Sequence, residues 1–225
     1  MSEAKSAGIL EPVKFQIGQI EVLAGQRAIL HGIAWNQFEK ILQELGEHRT
    51  SRIAYYDGTL EIRKPLPEHE RAKVLISNLL VILLDELDLE WESLGSSTFK
   101  NEKMLAGIEP DDCFYIKNYA AMIGKKRLDL TIDPPPDLAI EVDLTSKTQI
   151  SAYEALGVPE IWRYQQGKLL INILRNGRYI ESDTSLTFAD LPVVEGISQF
   201  LERSNTMPMS AVRREFRQWL KQLST

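Results

Sequence analysis

Residues 134–147 read PPPDLAIEVDLTSK. Three prolines stiffen the entry, and acids and aliphatics then alternate. Asp137, Glu141 and Asp143 take odd positions, while Leu138, Ile140 and Val142 take even ones. Successive side chains of a strand point to opposite faces, so the spacing predicts a strand over 137–144 with the carboxylates on one face. A buried carboxylate is costly unless it is paired with a cation, protonated or bound to a metal. A plain account lets Asp137 cap the strand entry, puts Asp143 past an exposed end and pairs Glu141 with a lysine or arginine. Glu141, at the centre of LAIEV, fits that account least easily.

A second acid lies upstream in GIEPDDCFYI (107–116), where Pro110-Asp111 enters a short apolar strand. Alone it reads as a loop acid before a strand. Together with Glu141 it makes two carboxylates on neighbouring strands. With a backbone carbonyl, that is an oxygen-rich site suited to Mg²⁺, with Mn²⁺ as a substitute. Such an ion activates water and stabilises charge developing on a phosphate. Lys147 follows Glu141 by six residues and is the candidate to position the attacking water; Lys100, in STFK, competes for that role. Glu70 opens a long helix in PEHERA, where an acid favours the helix dipole, and it reaches the site if that helix packs across the sheet. The three histidines lack zinc-ligand spacing, and the chain has no phosphate-binding glycine loop and no nucleophile elbow.

The rest of the chain alternates helices and strands. WNQFEKILQEL (35–45) has helical apolar spacing and stops at Gly46. Residues 51–65 form two strands joined at Asp57-Gly58, a strong hairpin signal. A helix is expected over 68–87, strands at 89–94, 97–100 and 111–116, and a short helix over 117–124. Residues 148–156 make a helix ended by Gly157. Three strands follow in PEIWRYQ, KLLINILR and GRYIES, then helices over 190–204 and 209–223. This order gives an α/β core with a mixed sheet, an N-terminal helix-hairpin and C-terminal helices. Residues 1–16 read as a loose tail, 17–205 as one domain, and 206–225 as a C-terminal helix of the same domain or an appendage.

Of the 225 residues, 44% are hydrophobic and 26% charged, enough to bury a core. The formal net charge of −6 argues against a generally basic nucleic-acid binder, so any DNA contact must come from local clusters. Lys125, Lys126 and Arg127 form one candidate, and Arg213, Arg214 and Arg217 another. The lone Cys113 rules out an internal disulfide, and a reducing cytoplasm is the expected compartment. The apolar run 74–84 is too short to span a bilayer.

A Pro-Asp before a short strand, then an acid inside an apolar strand with a lysine nearby, resembles the PD-(D/E)XK nuclease superfamily. The ordered set HGIAWNQFEKIL, RIAYYDGTLEI, PLPEHE, EPDDCFYI, PPPDLAIEVDLTSKT and YEALGVPEIWRY resembles more narrowly the bacterial Uma-two family of restriction-endonuclease-like proteins. The resemblance spans about residues 28–205. It implies a restriction-endonuclease-like core, a mixed sheet flanked by helices, and metal-dependent DNA cleavage. By motif, Asp111 is the Pro-Asp acid, Glu141 the second acid and Glu70 the helix-borne acid. The superfamily lysine stands two residues after the second acid. Here that position is Asp143, which leaves Lys147 as the migrated lysine or makes the chain an inactive binding or assembly module. Cutting both strands is simplest for a homodimer.

Overall fold

The computed structural model describes residues 16–46, 49–144 and 149–223. Most of the predicted tail and Lys147 therefore lie outside the described residues. The strands, in chain order, are β1 (Arg27–His31), β2 (Arg52–Tyr56), β3 (Thr59–Arg63), β4 (Glu92–Ser93), β5 (Phe99–Asn101), β6 (Ala106–Ile108), β7 (Asp112–Tyr115), β8 (Leu138–Val142), β9 (Glu160–Gln165), β10 (Lys168–Arg175) and β11 (Arg178–Ser182). The α-helices are α1 (Trp35–Leu45), α2 (Pro67–Glu86), α3 (Ile150–Leu156), α4 (Val193–Arg203) and α5 (Met209–Leu223).

Two sheets form where one mixed sheet was expected. The first is wholly antiparallel, in the order β1-β3-β2-β6-β5. The second runs β11-β10-β9-β8-β7-β4 and is mixed, because β8 and β9 pair in parallel while the other pairs are antiparallel. The reading missed β1 and β6. β6 (AGI) is only three residues long and holds a glycine whose added Cβ would stand 2.8 Å from the Phe38 ring. Close packing rather than strand propensity sets that segment. The expected helix at 117–124 is only a 3₁₀ turn, Tyr119–Ala121. The hairpin turn is as expected, with φ of 42° at Asp57 and 78° at Gly58.

The apolar faces order the layers. Phe38 of α1 packs with Ile53, Tyr55, Leu60 and Ile62 on one face of the antiparallel sheet. Ala54, Phe99 and Ile108 on its other face meet Cys113, Ala139 and Ile161 of the mixed sheet, with α3 contributing Ala152, Tyr153 and Leu156. Leu138, Ile140 and Val142 face the opposite way, onto α2, α4 and α5. The alternation read in LAIEV is therefore real, and Glu141 falls on the side between the sheets. Val212, Phe216 and Leu220 of α5 join the core behind the mixed sheet.

Candidate active site

Asp111 immediately precedes β7, and its backbone N–H donates to the Ile140 carbonyl at 3.2 Å. Its Oδ2 accepts the Val142 N–H at 2.8 Å. The β7–β8 ladder thus fixes Asp111 beside Glu141, as the two-strand argument required. Both acids are buried, Glu141 fully so at 0% exposure.

The cation that meets them comes from the other sheet. Nη2 of Arg63, at the end of β3, lies 2.5 Å from Oε2 of Glu141 and 3.4 Å from Oδ1 of Asp111. The Tyr153 hydroxyl, from α3, donates to Oε1 of Glu141. Burial pushes the Glu141 carboxyl up, to about 8, against the pull of Arg63. Burial alone would lower Arg63, but Glu141 and Asp111 outweigh it and hold the guanidinium charged.

Arg63 is one of three arginines in a row. In the antiparallel register it is partnered by Arg27 on β1 and Arg52 on β2. Directly opposed residues share a face, and like charges there repel, so each needs a carboxylate. Arg27 takes Glu61 at 3.1 Å, and Arg52 lies 3.9 Å from Glu70. Burial raises the Glu61 carboxyl, while Arg27 and Arg63 oppose the rise.

The three acids of the opening strand do three different jobs. Asp137 accepts the backbone N–H groups of Ile116 (2.8 Å) and Asn118 (3.0 Å), a turn-capping role. Asp143 takes Nε and Nη2 of Arg163 at 2.9 and 2.7 Å. Arg163 is the register partner of Glu141 on β9, so a guanidinium tied to Asp143 stands on the same face as Glu141. The plain account thus holds in part: Glu141 does meet an arginine, but Asp137 caps the turn after β7 rather than its own strand, and Asp143, expected past an exposed end, is buried against Arg163.

The remaining candidates are dispersed. Glu70 is half-exposed and pairs with Lys73 and Arg52, while its neighbour His69 lines a cavity of about 10 Å³ with Arg63, Asp111 and Val142. Nδ1 of His69 accepts the Leu66 N–H at 3.0 Å, so the neutral ring carries its proton on Nε2. Burial lowers the His69 pKa against the pull of Asp111. Lys100 lies on β5 in the antiparallel sheet and holds Glu39 with bonds of 2.8 and 2.7 Å.

Sequence reasoning passed over Arg63, Tyr153 and Arg163 and left His69 undecided. Arg63 carried a usable signal. The strand TLEIR alternates charged and apolar residues just as LAIEV does, and the hairpin register sets Arg52 opposite Arg63.

The donor chemistry suits a hard divalent cation. Two carboxylate oxygens from adjacent strands converge on a single position, held by the Arg63 nitrogen. Mg²⁺ is commonly bound through one or two carboxylates plus waters, so two acids suffice. Among the described residues no third histidine, cysteine or acid joins them to form a metal cluster. A metal there requires the guanidinium to give up its position.

The fold is thus an α/β architecture of two sheets, with Asp111 and Glu141 side by side where β7 pairs with β8. The model of the Uma2 family, described as "Putative restriction endonuclease", matches residues 35–204, and the chain belongs to this family. It is similar to the crystal structure of a "putative nuclease" from Anabaena variabilis ATCC 29413, with 15% identity, a TM-score of 0.48, and coverage of 75% of this chain and 99% of that one. No curated protein matches.

Proposed function

We propose that this chain is a divalent-metal-dependent nuclease that hydrolyses phosphodiester bonds of DNA. The observation that carries the reading is the convergence of Glu141 Oε2 and Asp111 Oδ1 on one cationic position. Glu141 and Asp111 would hold Mg²⁺, or Mn²⁺ in its place; when bound, the ion supplies charge neutralisation at the phosphate and a more acidic water.

The protein's own groups do the rest. Arg63 offsets part of the cost of burying Glu141, and its planar fork matches a phosphate as well as a carboxylate. Tyr153 fixes the Glu141 carboxyl through Oε1. Arg163, held by Asp143, supplies positive charge on the Glu141 face, next to the position where the superfamily puts its lysine and this chain has Asp143. His69, its pKa lowered by burial, lines the small cavity beside Asp111 and Arg63. Lys147 remains the proposed residue for orienting water, and a homodimer remains the simplest way to cut both strands.

A second reading is a metal-free binding or assembly module. It is favoured by one observation: Arg63 already neutralises both acids. Nicking of supercoiled plasmid in Mg²⁺, Mn²⁺ or EDTA, wild type beside Glu141→Ala, separates the two readings. The nuclease reading expects nicking that both EDTA and Glu141→Ala abolish. Intact plasmid in both metals, or nicking that Glu141→Ala retains, contradicts it.

A further inference from the structure

A cavity of about 690 Å³ opens where the antiparallel sheet meets the loops that lead into the mixed sheet. Six basic side chains line it: Arg49, Arg52, Lys100, Lys125, Lys126 and Arg127. On a chain of net charge −6, such a concentration is not a by-product of composition. Four of the six have carboxylate partners, namely Arg49 with Glu109, Arg52 with Glu70, Lys100 with Glu39 and Lys125 with Asp133. Of those carboxylates only Glu109 lines the cavity. Lys126 and Arg127 are exposed, and among the described residues neither has a carboxylate within ion-pair distance. The cavity therefore presents an excess of positive charge. Ser51 and Ser96 add hydroxyls, and no aromatic side chain is present in its lining.

Two residues of the cavity wall are tied to the acid pair along the chain and the strand ladder, although the acids themselves lie outside its lining. Arg52, in its wall, is the register partner of Arg63, which holds Glu141 and Asp111. Glu109, also in its wall, stands two residues before Asp111. The second basic cluster is elsewhere. Helix α5 packs behind the mixed sheet on α2, with Arg217 bound to Glu86 at 2.8 Å, and none of its residues lines the cavity.

The geometry points to this cavity as the seat of the DNA phosphate backbone, from which a phosphodiester is delivered to Asp111 and Glu141. The inference rests on the nuclease reading. Arg, Lys and Ser groups contact phosphates and position the duplex without reading sequence. The cavity has no aromatic platform on which bases would stack, and its contacts with phosphates carry no sequence information.

The test is fluorescence anisotropy of a labelled mixed-sequence DNA duplex with the full chain in EDTA, across a salt series. The variants are Lys126→Ala/Arg127→Ala and, as comparison, Arg213→Ala/Arg214→Ala; both cavity residues are exposed, so folding is not at risk, and matching thermal melts check this. The expected result is a loss of roughly tenfold or more in affinity at low salt for the cavity variant. Its log K against log[salt] slope should be shallower by about 1.8, that is about 0.9 for each phosphate contact. The α5 variant should match wild type. Unchanged affinity and slope in the cavity variant, loss in the α5 variant instead, or no DNA binding by wild type overturns the proposal. So does binding of inorganic phosphate without binding of the duplex. Salt-sensitive binding that the cavity variant loses, with no plasmid nicked in Mg²⁺ or Mn²⁺, supports the cavity and defeats the nuclease reading. Nicking by a cavity variant that binds like wild type does the reverse.

Discussion

Two buried glutamates lie on adjacent strands of the mixed sheet, and they are met in opposite ways. Glu160 opens β9, is 1% exposed, and accepts Trp162 Nε1–H at 2.6 Å and the Leu186 N–H at 2.9 Å. Its partners are neutral. Glu141, in β8, is met by a guanidinium that also serves Asp111. Burial raises both carboxyls. The difference lies in what surrounds them: Glu160 ties a strand to a loop, while Glu141 belongs to a network of arginines and acids that spans both sheets. Burial of an acid is common to both; sharing a cation with a second acid is what sets Glu141 apart.

The largest expected contrast is in cleavage. Glu141→Ala should lower plasmid nicking by roughly 10²–10³ or more, the scale of losing a preorganised charge at a reacting phosphate. Glu160→Gln should leave nicking unchanged. Equal losses in the two variants would erase the distinction.

Stability should separate them next. Glu141→Ala leaves Arg63 buried with Asp111 as its only remaining partner in this pair of contacts, at 3.4 Å. Breaking a buried ion pair in this way costs about 3–5 kcal/mol. Glu160→Gln keeps an acceptor for Trp162 and should cost about 1–3 kcal/mol. Urea denaturation of both variants checks the order.

A double-mutant cycle sharpens the point at smaller scale. Arg63→Gln with Glu141→Gln should show a coupling of about 0.5–3 kcal/mol, whereas Arg63→Gln with Glu160→Gln should be additive within about 0.5 kcal/mol.

The smallest effect is in pH. The folded pKa of Glu160 is raised above its ordinary 4.5 by burial, against the hydrogen bonds from Trp162, Ser185 and Leu186. The folded chain therefore binds this proton more tightly than the unfolded chain does. The resulting stability is fully present below 4.5 and is lost as pH rises through the raised value. The melting-temperature difference, wild type minus Glu160→Gln, should fall as pH rises from 4.5 and then level off.

Much of this architecture was legible in the sequence. The Asp57-Gly58 hairpin, the α1 helix and the alternation of LAIEV follow from local patterns, and each is found where those patterns put it. The neighbouring of Asp111 and Glu141 was also readable, because Pro110-Asp111 enters the strand that pairs with β8. Arg63 was not, since its approach depends on how two sheets stack, which no local period encodes. Division of the strands into two sheets was hidden for the same reason. The basic cavity was half visible: Lys125, Lys126 and Arg127 are consecutive, but Arg49, Arg52 and Lys100 join them only through folding. Glu160, within PEIWRY, drew no notice as an acid, although it is as buried as Glu141.

The most direct test of the central claim is a calorimetric titration of Mn²⁺ into wild type, Asp111→Asn and Glu160→Gln. The account predicts saturable binding by wild type and by Glu160→Gln, and its loss in Asp111→Asn. No binding by wild type, or binding that Asp111→Asn leaves intact, would contradict it.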